Sequence, residues 1–153
     1  MLPKDMRSTS AVDPELVPWA RIERPWGTTY MKLLRCSVQE NTFTNIVRYP
    51  AGIQLPTHLH TGHVHAFTFE GRWRYLEYDW VAGAGHYVNE PPGTVHTLVI
   101  EEETTALFAV HNAFIFFGPG GEFLKYQDAA VTLEDCQAVL ARDGLELPKF
   151  VYE

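Results

Sequence analysis

Four of the seven histidines in this 153-residue chain fall within eight positions, at His58, His60, His63 and His65 of "HLHTGHVH". Imidazole is a common metal ligand, and its charge changes near neutral pH, so such a cluster suggests either coordination or proton transfer. His58 and His60 are separated by one residue. On a strand, residues i and i+2 point to the same face, so two rings spaced this way can reach one metal ion. Pro56, just before them, suits the start of a strand or an edge position.

A second segment supplies what a pair of histidines lacks. Gly52 precedes the pair in a G-x5-H-x-H pattern, and "GHYVNEPPGTVH" reads G-x5-P-x-G-x2-H from Gly85 through Pro91 and Gly93 to His96. Proline and glycine there make a sharp turn that aims His96 toward the same interior. Together the two patterns are the signature motifs of the cupin superfamily, which residues 52 to 96 resemble. The resemblance implies an all-β domain, a small antiparallel jelly-roll barrel, with a metal inside it. Most cupins add a glutamate a few residues after H-x-H. Here Val64 and His65 hold those positions, so the implied metal set is His58, His60 and His96, with His65 where the glutamate usually stands.

The elements that must position these residues are legible as short runs of aromatic and β-branched residues: "TTYMKLLRCSV", "TFTNIVRY", "HAFTFEG", "RWRYLEYDWV", "HYVNEP", "HTLVI" and "ALFAVHNAFIFF". Turn chemistry separates them, in "QEN", "PAG", "AGAG", "PPG" and "GPGG". Regular short strands of this kind indicate a sandwich or barrel. One C-terminal helix is expected in "TLEDCQAVLARDG", opened by a capping box from Thr132 to Asp135 and stopped by Gly144. Its apolar stripe is Leu133, Cys136, Val139 and Leu140, which suits packing on the outside of the sheet or at a subunit interface. Residues 1 to 15 read as a flexible polar arm and 16 to 153 as the domain.

The strand "HAFTFE" alternates His65, Phe67 and Phe69 on one face, which is read here as the interior. His65 is then a fourth ligand, a base hydrogen-bonded to bound water or substrate, or a core histidine with a satisfied partner. His63 falls out of phase, in the turn or at the mouth; His86 and His111 are read as structural. Three neutral imidazoles would leave a divalent ion its full +2 charge and three open positions, two for a chelating oxygen substrate and one for O2. Imidazole does not by itself select Fe(II) over Zn, Ni or Cu.

The run "GRWRYLEYDW" with "EPPGTVHTL" goes further, and resembles the 2,4'-dihydroxyacetophenone dioxygenase family over roughly Trp19 to Gly144. That resemblance implies a mononuclear Fe(II) on His58, His60 and His96, cleaving the bond between a ketone and its hydroxymethyl group to give an aromatic acid and formate. The related acetylacetone-cleaving diketone dioxygenase shares an acid six residues before the last histidine, corresponding here to Glu90. Members commonly carry proline where His63 stands and glycine where Ala66 stands. Glu90 or His65 is the candidate base for the substrate proton, Glu90 alternatively being a strand-end carboxylate bonded to backbone or arginine. Phe67, Phe69, Trp73, Tyr75 and Phe116 are candidate pocket walls, or plain core. Glu77 and Asp79 are expected to be solvated or paired with Arg72 and Arg74.

Composition narrows the partners. Twelve basic against nineteen acidic residues give a net charge of -7, and no basic run is dense enough to track phosphates, which argues against nucleic acid. The apolar run "TALFAVHNAFIFFG" is too short to span a bilayer, and the N-terminus has no signal-peptide core, so no membrane partner and a cytoplasmic location are expected. Cys36 and Cys136 do not make a disulfide framework; Cys136 is expected to be a buried thiol. The expected partners are a small aromatic hydroxyketone or diketone, O2, and further copies of the chain as a homo-oligomer. The rival readings are a zinc-binding sensor domain without turnover and a metal-dependent isomerase or hydrolase, which need no O2.

Overall fold

A computed structural model describes Met1 and residues 9 to 152. Eleven strands, in chain order, are β1 (Ala20–Arg24), β2 (Gly27–Ser37), β3 (Thr42–Tyr49), β4 (His58–His60), β5 (Val64–Tyr75), β6 (Ala82–Gly83), β7 (Tyr87–Glu90), β8 (Val95–His96), β9 (Leu98–His111), β10 (Phe114–Phe117) and β11 (Phe123–Gln127), followed by helix α1 (Ala129–Arg142). A seven-stranded sheet runs β1-β2-β3-β9-β5-β6, with β7 also on β5, and a four-stranded sheet runs β11-β10-β4-β8. All the ladders are antiparallel. This is the expected all-β architecture with one C-terminal helix.

The run "HAFTFEG" and the start of "RWRYLEYDWV", read separately in the sequence, are one strand, β5, which crosses Gly71 without a turn and ends at Tyr75. It survives as a strand because three register shifts against β9, between Thr68 and Trp73, absorb the irregularity. Gly71 has φ +96, and a Cβ there would collide with the Glu103 carbonyl, so only glycine fits. The shifts change the phase of the strand. Val64, Ala66 and Thr68 are buried before them, and Trp73 and Tyr75 after them.

Two apolar clusters fill the interior. One gathers Leu33, Val64, Val110, Cys136 and Leu140 around the sheet and helix; the other gathers Trp73, Tyr75, Leu98 and Ile100. The indole N–H of Trp73 donates to Thr68 Oγ1 at 2.8 Å, satisfying the polar atom of a fully buried ring.

The helix lies against β1, β2 and β11, as its apolar stripe requires. It begins one turn earlier than the sequence suggests. Asp128 is the N-cap, its carboxylate accepting from Val131 N, while Thr132 is buried inside the first turns and accepts from Gln127 Nε2. Gly144, at φ +72, ends it as expected. Asp135 ties it to the sheet by accepting from Arg24 at 2.6 Å and Lys125 at 2.8 Å. Cys36 and Cys136 are both free and buried, and burial pushes the thiols up to about 11 and about 12.

Part of the N-terminal arm, residues 2 to 8, lies outside the described residues. Asp13 caps a 3-10 turn at Pro14–Leu16, and Lys32 Nζ donates to the Pro14 carbonyl at 2.8 Å, so the end of that arm is docked on β2. No helix among the described residues is long and apolar enough to cross a membrane.

Candidate metal centre

His58 and His60 are the two ends of β4, with Leu59 pointing away between them, so their rings share the interior face. His96 sits on β8 directly opposite His58 in the ladder. The turn before it, "EPPGT", is held to β4 by two backbone bonds: His60 N to Thr94 O at 3.0 Å and Gly93 N to His60 O at 2.8 Å. Gly93 has φ +85, the left-handed conformation the turn demands. The proline–glycine turn therefore clamps onto the H-x-H strand itself.

The three histidines are buried, and their candidate ligand atoms lie within 4.8 Å of one another. Ring centroids are 4.7 to 4.9 Å apart. His58 Nδ1–H donates to the Pro56 carbonyl at 3.0 Å, which fixes the tautomer and leaves Nε2 with its lone pair. The His96 ring stacks on Tyr75, and Phe114 and Phe116 of β10 wall the other two rings. Burial drives all three imidazoles to their neutral forms, to about 4 for His58, about 2 for His60 and about 3 for His96, with the neighbouring rings adding to the effect at His60 and His96.

Both ring nitrogens of His60 and of His96 are buried without a hydrogen-bond partner among the described residues, as is Glu90 Oε2. Native interiors satisfy nearly all such atoms, and a cation among the three clustered ligand atoms, one from each ring, would satisfy one nitrogen of His60 and one of His96. The donor set therefore fits a divalent metal.

Glu90 ends β7 and is 3 % exposed. Tyr75 O–H donates to its Oε1, and its Oε2 is 3.6 Å from His60 Nε2. Burial raises the carboxyl to about 7, against the lowering effect of the tyrosine. Its partner is thus a tyrosine from β5, delivered by the phase change in that strand, rather than the backbone or arginine partner considered from the sequence. His58, His60, Glu90, Tyr75 and Phe116 border a common cavity of about 60 Å³.

His65 is not in this cavity. It occupies the outer face of β5, where Nδ1 bonds Tyr87 Oη and the ring stacks on His63 at 4.3 Å. Phe67 and Phe69 share that face and are 41 % and 46 % exposed, so neither is a pocket wall. The expectation that "HAFTFE" turns His65 inward is corrected: the inward residues are Val64, Ala66 and Thr68. Among the other wall candidates, Tyr75 and Phe116 line the cavity and Trp73 is core. His63 bonds Asn89 Oδ1, and His86 accepts from Gly83 N at 3.0 Å. Arg72 and Arg74 both pair with Glu101, while Glu77 accepts from Thr97 N.

Asn45 is a site-lining residue that the sequence reading passed over. It alternates inward on β3 with Phe43, Val47 and Tyr49, and all four border the cavity. A polar residue in an otherwise apolar inward row, in "TFTNIVRY", was the available signal.

A jelly-roll of this topology with two histidines on one strand and a third on the next is a cupin. The sequence matches the family described as the ChrR cupin-like domain over residues 7–115, and the chain belongs to that family. No curated protein matches it. An RmlC-like cupin protein from Ralstonia eutropha superposes with a TM-score of 0.85 at 23% identity, covering 93% of each chain. An acetylacetone dioxygenase from Acinetobacter johnsonii superposes at 0.80 with 18% identity, covering 91% of this chain and 98% of that one. The anti-sigma protein ChrR, in its complex with SigE from Rhodobacter sphaeroides, gives 0.51 at 21% identity, covering 63% of this chain and 50% of that one.

Proposed function

We propose that this cupin is a mononuclear non-haem Fe(II) dioxygenase that cleaves the carbon–carbon bond of a 2-hydroxyketone with O2, giving a carboxylic acid and formate. The observation that carries the reading is a buried carboxyl, Glu90, whose Oε2 lies 3.6 Å from His60 Nε2 at a cluster of three buried histidines. Sharing the fold with an acetylacetone dioxygenase supports it.

His58, His60 and His96 would hold the metal. Iron(II) bound there supplies a redox-active Lewis acid of full +2 charge, suited to a chelating oxygen ligand. The residues of the chain do the rest. Glu90 takes the proton of the substrate hydroxyl at Oε2, the oxygen with no hydrogen-bond partner among the described residues. Tyr75 pins Oε1, so the free oxygen faces the substrate. Phe114 and Phe116 exclude water around the two β4 histidines.

The balance is one ketone and one O2 to one acid and one formate. Turnover under labelled O2 tests it: each product should carry one labelled oxygen, whereas a hydrolase or isomerase would leave both unlabelled. The family match favours a second reading, a metal-binding domain in a regulatory assembly, since a relative is an anti-sigma protein. No turnover, with metal bound, would turn the reading to that one.

A further inference from the structure

The 60 Å³ cavity holds about four water-sized volumes, which is too little for an aromatic ring. It does not end there. A second cavity of about 110 Å³ shares seven of its walls, among them Phe43, Asn45, Phe114 and Phe116, and continues outward past Trp26, Met31 and Arg24. His58, His60 and Glu90 border only the inner chamber; Asn45 borders both.

Asn45 is 7 % exposed, and its Nδ2 donates to Met31 Sδ at 3.1 Å. A thioether can only accept, so this contact fixes the amide orientation. Asn45 Oδ1 is then a buried acceptor with no donor among the described residues. Buried amides without partners are costly, and this one lies where the two chambers meet. Arg24, at the outer wall, is already paired with Asp135, so the outer chamber offers no free cation to select an anion.

We propose that Asn45 is a specificity residue: the outer chamber takes the apolar, aromatic body of the substrate, and Asn45 Oδ1 accepts a hydrogen bond from a hydroxyl carried on that body. The chelating end of that substrate lies in the inner chamber. This rests on the reading of the inner chamber as the chelating site.

The test is calorimetric binding, without O2, of 2,4'-dihydroxyacetophenone and of 2-hydroxyacetophenone to the Fe(II)-loaded protein. The two differ only in the ring hydroxyl. Wild type should bind the first roughly ten- to hundred-fold more tightly. Asn45→Leu should bind both alike, with the affinity wild type shows for 2-hydroxyacetophenone. A general packing defect would instead weaken both compounds and keep their ratio. No preference in wild type, no binding of either compound, or a preference that persists in Asn45→Leu would overturn the inference. The wild-type ratio stands as a test even if the variant does not fold. Preferential binding without oxygen consumption on admitting air would leave the Asn45 assignment intact and sink the dioxygenase reading alone.

Discussion

His58 and His96 face each other across the β4–β8 ladder, with ring centroids 4.9 Å apart. Residues that belong to separate sequence motifs are thus cross-strand neighbours, and the Gly93–His60 backbone bond holds the second motif on the first. Removing either ring should not undo this backbone frame. His96→Ala is expected to weaken metal binding by at least about a hundred-fold, with the far-ultraviolet circular dichroism of the wild type retained. Elemental analysis after gel filtration checks it; a full equivalent of metal in the variant would refute the ligand assignment.

Glu90→Gln keeps the shape of the side chain and removes its ability to take a proton. Turnover should fall by about 10² to 10⁴ while the metal stays bound. Metal content and steady-state rate, measured on the same preparation, separate this outcome from loss of the site.

His65→Ala should change little, because the ring lies outside the barrel against His63 and Tyr87. The expectation is wild-type metal content and a rate within about twofold. A large loss of turnover with metal intact would mean that the outer face takes part in the reaction.

The helix N-cap gives a stability test. Asp128→Ala removes the acceptor for Val131 N and should cost about 1 kcal/mol in denaturant unfolding of the metal-loaded protein. An unchanged midpoint would show that the first turn is held by its other contacts, the Ala129 N bond to Asn41 Oδ1 and the burial of Ala129 and Thr132.

The cluster of His58, His60 and His96 was legible because each belongs to a motif whose geometry is local: two histidines on one strand, and a proline–glycine turn that fixes a third. Glu90 was legible as an acid at a set distance from His96, but its tyrosine partner was not. Tyr75 reaches it only because the shifts around Gly71 reverse the phase of β5. The same strand misled the reading of His65. Its period of two was read correctly, and its phase was not; an error of one residue turns every side chain to the opposite face. The helix start was misplaced for a related reason. Thr132 and Asp135 have capping-box spacing, yet Thr132 is buried and Asp135 is spent on Arg24 and Lys125, contacts that only the assembled sheet provides. Asn45 shows the remaining limit. Its polarity in an apolar row was an unused signal, and the cavity it borders exists only where two sheets meet.

The most direct measurement is oxygen consumption by protein reconstituted anaerobically with Fe(II), supplied with 2,4'-dihydroxyacetophenone and a short panel of hydroxyketones and β-diketones. Uptake of one O2 for each formate and each carboxylic acid formed is the predicted result. No uptake with any of them, from protein carrying one iron per chain, would contradict the assignment of this cupin as a carbon–carbon-cleaving dioxygenase of these ketones.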